Sequence, residues 1–227
     1  MAGKKSTAHG GASTTPDAIL AAAERLFAEG GIGAVSNRRI AEAAGAANHF
    51  AVGYHFGTKE NLVLALMRRH IDGMDRLRRS AAEELAGSSD PRGFVAALVR
   101  QLPAYLATLQ PPTYAARFAL QTLTDPSWLD IGLRESATSA DEALRGGLRA
   151  ALRGNDLGIT SDVLQARVTA LRVLLPSVCA EHERLGSRSR FRSWDAVADF
   201  LEDTGCGLVL APVVAGKRRK ATRNAGS

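Results

Sequence analysis

The stretch from Ala34 to Leu62 constrains this chain more than any other part of it. Ser36 can cap a short helix in which Ile40, Ala41 and Ala44 share one apolar face, and Gly45 suits the left-handed residue that ends such a helix. Thr58 caps a further helix beginning Lys59-Glu60-Asn61-Leu62, so another short helix has to begin and end between Gly45 and Thr58. Three short helical elements in so little chain form a helix-turn-helix, which suits a groove reader better than an active site.

The whole chain has 227 residues with 45% hydrophobic content, enough to bury a core and too apolar for a disordered protein. Its net charge of +6 favours a polyanionic partner, and the distribution sharpens this. Residues 1–79 carry a balance of +4, residues 80–216 a balance of −3, and the run from Lys217 to Arg223 adds five cations. Cys179 and Cys206 make neither a ligand pattern nor a disulfide framework, which points to a reducing compartment. No apolar stretch follows Lys4-Lys5, and the longest apolar run, Leu208 to Ala215, is too short to span a bilayer. A cytoplasmic protein with no membrane partner is expected.

Along the chain, helical periodicity dominates and no stretch alternates with period two, so the expected fold class is all-α. Residues 1–14 read as a disordered arm and 15–57 as the helix-turn-helix domain, whose first helix starts at Thr15-Pro16 and stops at Gly30-Gly31. A long connecting helix covers 58–86, a larger helical domain 87–215, and a basic disordered tail 216–227. Within the larger domain, helices open at Asp90-Pro91, near Tyr114, at Asp125-Pro126, at Thr160 and at Ser193. The spacing predicts one helix from Asp125 to a stop at Gly154-Asn155, a kink at Pro103 and an interruption at Pro176.

Val35-Ser36, Arg38, Ile40-Ala41, Ala44-Gly45, Tyr54-His55-Phe56, Lys59-Glu60 and Leu62 together resemble the amino-terminal DNA-binding domain of the TetR family of bacterial transcriptional regulators. The resemblance covers roughly residues 16 to 65, and it implies a homodimer that binds operator DNA and lets go when a small molecule enters the larger domain. Gly45 and Phe56 are separated by one position more than the family commonly has, which resembles a subgroup with a longer recognition segment.

Candidate DNA contacts follow from the chemistry of grooves and phosphates. Asn48 and His49 are expected to begin the recognition helix, where an Asn amide can read adenine, while Arg38 can read guanine through two acceptors. By the resemblance, Tyr54, His55 and Lys59 fall where the family grips the backbone, Ser36 is a further candidate DNA contact, and a cation at a helix start such as Lys59 gains from a nearby anion. His55 can equally pack its ring beneath the first helix, whereas Val52 and Phe56 share an apolar face with Ile40 and read as core.

The larger domain is expected to enclose a cavity for an apolar or mixed-polarity effector, with Tyr105, Tyr114, Arg117, Phe118, Gln121, Trp128 and Arg172 as candidate lining. A single recognition helix reads few base pairs, so a two-fold dimer on two half-sites is expected. Its interface candidates are Val168, Leu171, Leu175, Val197, Leu201 and Leu208 on the last two long helices. Cys179, His182 and Glu183 lie within one helical turn, yet no further ligands cluster with them in sequence, and no metal or cofactor is expected. No nucleophile elbow, zinc-protease pair or phosphate-binding loop occurs, so no enzymatic reading gains support. An effector-independent regulator, an activator of the same fold and a helical protein-interaction module stay open as alternatives.

Overall fold

The computed structural model describes residues 15–153 and 157–213. The expected arm 1–14, the Gly154-Asn155 stop and the basic tail 216–227 lie outside the described residues. Among the described residues ten α-helices follow one another: α1 (Pro16–Gly30), α2 (Asn37–Ala43), α3 (Ala51–Phe56), α4 (Lys59–Glu84), α5 (Pro91–Ala107), α6 (Ala115–Thr124), α7 (Pro126–Ser136), α8 (Ser139–Arg153), α9 (Ser161–Leu185) and α10 (Trp194–Leu210). There is no strand among these residues either, and the fold is all-α, with a helix-turn-helix followed by a larger helical part.

Local chemistry sets most helix starts. Thr15, Ser36, Thr58, Asp90, Asp125, Thr160 and Ser193 each place a side-chain oxygen on a first-turn backbone N–H, satisfying donors the helix itself cannot pair. Gly31, at φ +82°, closes α1, and Gly45, at φ +70°, turns the chain after α2.

Three expectations about helix boundaries are corrected. The segment from Asp125 to Arg153 forms two helices, because Thr138 turns its hydroxyl to the buried Asp75 of α4 and also accepts from the Asp141 N–H at 3.3 Å to start α8. The leucine spacing continues across this break, which is why periodicity alone joined the two. Conversely, α9 runs on through Pro176, since packing of the helix offsets the hydrogen bond the proline removes, while Pro103 lies inside α5. The recognition helix starts at Ala51, later than expected: the Asn48 side chain accepts from Phe50 N–H at 2.9 Å and holds a turn instead.

Two apolar clusters make up the interior. Ile19, Phe27, Ile40, Val52, Leu62 and Leu66 form the first, joining α1–α4, and Phe118 of α6 and Trp128 of α7 complete it. Phe94, Val99, Leu144, Leu171, Leu201 and Val209 belong to the second, in which α10 packs along α5 and α9 along α6. The α6–α7 pair thus seats the helix-turn-helix on the larger part of the chain. Glu183 of α9 fixes α6 in turn: its carboxylate is 2% exposed and accepts from the backbone N–H groups of Ala116 and Arg117 and from the Arg117 guanidinium, each at 3.1 Å. A carboxylate from a neighbouring helix therefore caps the start of α6, where the helix dipole favours negative charge.

Candidate nucleic-acid interface and interior cavity

Helices α2 and α3 present a basic and aromatic face. Ser36 accepts from Arg39 N–H at 3.2 Å, caps α2 and stays exposed at the helix start. Arg38 is exposed and donates to Glu42 at 2.9 Å. Glu42 also stands 3.9 Å from His49, and the Arg38 hydrogen bond holds its carboxyl below the usual range. Glu42 thereby pre-positions Arg38 and His49 on one side of the turn. Asn48 and His49 sit in that turn, ahead of the helix they were expected to begin.

Tyr54 is 86% exposed and Phe50 80%, and their spacing of four puts both on one face of α3. Sequence reasoning passed over Phe50, because an aromatic beside an apolar run reads as core; only its outward placement marks it. His55 is half-buried, with its ring edge-on to Tyr54 at 4.9 Å. Lys59 turns toward the protein: its ammonium reaches the Gly33 carbonyl at 3.5 Å and lies 5.8 Å over the Phe27 ring, and burial lowers its pKa. Val52 is fully buried and Phe56 packs against the same cluster.

Between α4, α5, α6, α7, α8 and α9 lies a cavity of about 180 Å³. Met67, Ile71, Leu98, Phe118, Leu148 and Leu171 contribute apolar wall; Arg78, Gln101, Thr122, Asp141, Arg145 and Arg172 contribute polar groups. Arg78 is buried, donates to Gln101 and reaches the Ser136 carbonyl at 3.3 Å, and burial lowers its pKa. Arg145 donates to Asp141 at 2.6 Å. His70 also lines the cavity, with Nδ1 2.8 Å from the Tyr105 hydroxyl and Nε2 3.4 Å from Glu24 of α1. That second contact is near enough for an ion pair but is not aligned as a hydrogen bond.

Of the expected effector residues, Phe118 and Arg172 line this cavity. The other five lie elsewhere. Tyr105 is buried against His70 and Gly73, Trp128 belongs to the helix-turn-helix cluster, and Gln121 faces Gly31. Arg117 is committed to Glu183 and stacks over Tyr114, 4.8 Å from its ring centre. Sequence reasoning missed Arg78, Arg145 and Gln101, which read as ordinary surface positions until helices α4, α5 and α8 converge.

The expected dimer residues also divide. Leu171, Val197 and Leu201 are buried within the chain's own second cluster. Val168 and Leu175 line the cavity, and Leu208 is half-buried. The exposed apolar side chains of these helices are Val173 on α9 and Phe200 on α10, the latter 5.3 Å from the Phe191 ring. The segment Ser161–Arg188 is long and apolar enough to cross a membrane by length and composition; here α9 packs along α6 and α10.

Near the end of α9, burial pushes the Cys179 thiol well above its usual range, and His182 turns to Ser189 at 2.7 Å and edge-on to Trp194 at 4.5 Å. With Glu183 engaged at α6, these side chains do not converge. No group of three or more His, Cys, Asp or Glu among the described residues could hold a metal ion.

Comparison with known proteins bears on this architecture. Residues 19–66 match the sequence model of the family described as "Bacterial regulatory proteins, tetR family". The TetR family transcriptional regulator PfmR from Thermus thermophilus is 18% identical and superposes with a TM-score of 0.51, covering 86% of this chain and 99% of its own. The fatty acid degradation regulator FadR from Bacillus halodurans is 17% identical over 85% of this chain and 98% of its own, with a TM-score of 0.48. A transcriptional regulator described as putative, from a Rhodococcus species, is 20% identical over 86% and 92%, with a TM-score of 0.32. No protein of curated function matches the sequence. Residues 19–66 thus match the amino-terminal domain model of the tetR family, and the chain as a whole has a TetR-like fold.

Proposed function

We propose that this protein is a cytoplasmic, homodimeric, sequence-specific DNA-binding regulator of transcription, acting as a repressor that a small molecule in the interior cavity releases from a two-fold symmetric operator. The domain division read from the sequence, with 15–57 as reader, 58–86 as connector and 87–215 as sensor and dimer domain, serves this reading. The observation that carries it is the double position of Phe118, which belongs to the core of the helix-turn-helix and lines the cavity. An occupant of the cavity touches a side chain on which the reading head is seated, so a shift of α6 changes the placement of α1 and with it α2 and α3.

In the reading head, Phe50 and Tyr54 supply apolar and hydroxyl contacts along α3, Arg38 reads a base edge, and Ser36, His49 and His55 approach the backbone. Asn48 acts from the turn, and the one added position between Gly45 and Phe56 falls in that turn too. Lys59 serves the domain more than the DNA, since its ammonium closes the α1–α2 loop at Gly33. Two copies joined through the outer faces of α9 and α10, where Val173 and Phe200 are exposed, would present two such heads to half-sites one helical turn apart or a multiple of it.

The test is selection from random duplex DNA at moderate salt. Enrichment of a two-fold symmetric sequence, lost on replacing Arg38 and Tyr54 together, supports the reading. Binding that is salt-sensitive but enriches no sequence overturns it.

A further inference from the structure

The cavity wall is unequal in charge. Arg78, Arg145 and Arg172 line it, against Asp141 as the carboxylate among its described lining. Arg145 is bonded to Asp141, and Arg78 is held by Gln101 and the Ser136 carbonyl. Asp75, the other buried carboxylate nearby, is taken by Arg79 at 2.5 Å and by Thr138. Arg172, half-buried on α9, has no hydrogen bond and no ion pair among the described residues. Burial and the neighbouring Arg145 charge both lower its pKa, with the Asp141 carboxylate opposing them in smaller part.

A guanidinium carries five N–H donors in a fixed fork, and withdrawing it from water without a partner is costly. A carboxylate answers that fork with two oxygens, and the surrounding low dielectric strengthens the pair. Most of the rest of the wall is hydrocarbon, including Met67, Ile71, Leu98, Phe118 and Leu171, and its further polar side chains His70, Gln101 and Thr122 are bonded to Tyr105, Arg78 and the Ala119 carbonyl, which leaves little for a fully hydrated ion such as free phosphate to bond. The volume limits size, since an apolar hole of about 150 Å³ is enough for a benzene ring. We propose that the occupant is a compact amphipathic carboxylate, its head on the Arg172 guanidinium and its hydrocarbon part against Phe118, Ile71 and Leu98. This deepens the effector reading of the same cavity and rests on it.

The experiment uses the full chain and two hydrocarbon skeletons, phenylacetic and octanoic acid, each tested as carboxylate, amide and amine, with inorganic phosphate as the head-group control. Thermal shift at increasing concentration reports binding. For at least one skeleton the carboxylate is expected to bind tenfold or more tightly than its amide, with the amine weaker still and phosphate inert. Arg172→Met should erase the difference between carboxylate and amide, and Arg172→Lys should retain part of it. Should Arg172→Met fail to fold, the lysine variant decides: a reduced preference supports the assignment and an unchanged one overturns it. Equal or better binding by amides or amines, no binding by either skeleton, or a carboxylate preference that survives Arg172→Met would each overturn it. Operator release is measured alongside. A carboxylate that binds without releasing DNA would sink the switch but leave this assignment standing, and release by an amide alone would do the reverse.

Discussion

Phe118 of α6 stacks on Phe27 of α1, with ring centres 6.2 Å apart and planes inclined by 25°. Phe27 is fully buried in the reading head, whereas Phe118 has its other side toward the cavity. Truncation to Ala should cost about 3–5 kcal/mol, because both clusters lose contacts around it. Phe118→Leu keeps most of the volume and should leave a folded protein in which effector and DNA no longer weaken each other's binding. Coupling between the sites must be reciprocal at equilibrium. Calorimetric titration of each ligand with and without the other measures it, and a coupling factor unchanged in Phe118→Leu would remove this contact from the pathway.

The exposed pair Phe50 and Tyr54 separates stability from function. Neither side chain is buried, so replacing either with Ala should alter unfolding free energy by no more than about 0.5 kcal/mol. Operator affinity should nonetheless fall about tenfold, or about 1.4 kcal/mol, per replacement. Fluorescence anisotropy with a labelled operator and urea unfolding of the same variants check the two halves.

Glu183 is a buried carboxylate that joins α9 to the start of α6. Removing it as Glu183→Ala leaves two backbone N–H groups unanswered and the Arg117 guanidinium with the Thr113 carbonyl but no carboxylate, at a cost of about 3–5 kcal/mol. Glu183→Gln still supplies an acceptor to the start of α6 and should lose less. Chemical denaturation of both variants gives the comparison, and equal losses would mean that packing, not capping, is the role of this side chain.

Gly73 of α4 lies directly under the Tyr105 ring, where an added Cβ would collide with it. Ala is the better helix former by about 1 kcal/mol, so an open site would be stabilised by Gly73→Ala. Here overpacking, typically about 1–3 kcal/mol, should win, and the ring should also move off the His70 imidazole. A lowered midpoint in Gly73→Ala is expected, and a raised one would show that the ring yields freely.

His182 should make the fold sensitive to mild acid. Burial against Trp194 and Phe191 lowers its pKa below the ordinary 6.5, so the unfolded chain binds the proton more readily than the folded one. Stability therefore rises with pH across that interval: the contribution is whole above 6.5 and is lost as pH falls through the folded value. The midpoint of thermal unfolding should drop more from about pH 7.5 to about pH 5 in the native protein than in His182→Gln.

Helix starts were legible from short stretches because capping is local. Ser36 with Arg39, or Thr58 with Asn61, needs three residues and no tertiary partner. The helix-turn-helix pattern was legible for a related reason, as its buried positions Ile40, Val52 and Leu62 sit on three helices that follow one another within one short stretch of chain. Side-chain commitments were not. Nothing near Thr138 announces that its partner is Asp75, and nothing near Glu183 announces the start of α6, since each pair is joined only when distant helices pack.

By itself, then, the sequence determined an all-α chain with a basic, capped helix-turn-helix at residues 16 to 65, because propensity, capping and apolar period act over a few residues. Tertiary structure alone decided which polar groups meet inside it. Arg78, Arg145 and Arg172 come from three helices, α4, α8 and α9, and they share a cavity only because those helices pack around it. It also decided that Leu171 and Leu201, which obey the same helical period as an interface stripe would, are claimed by the core.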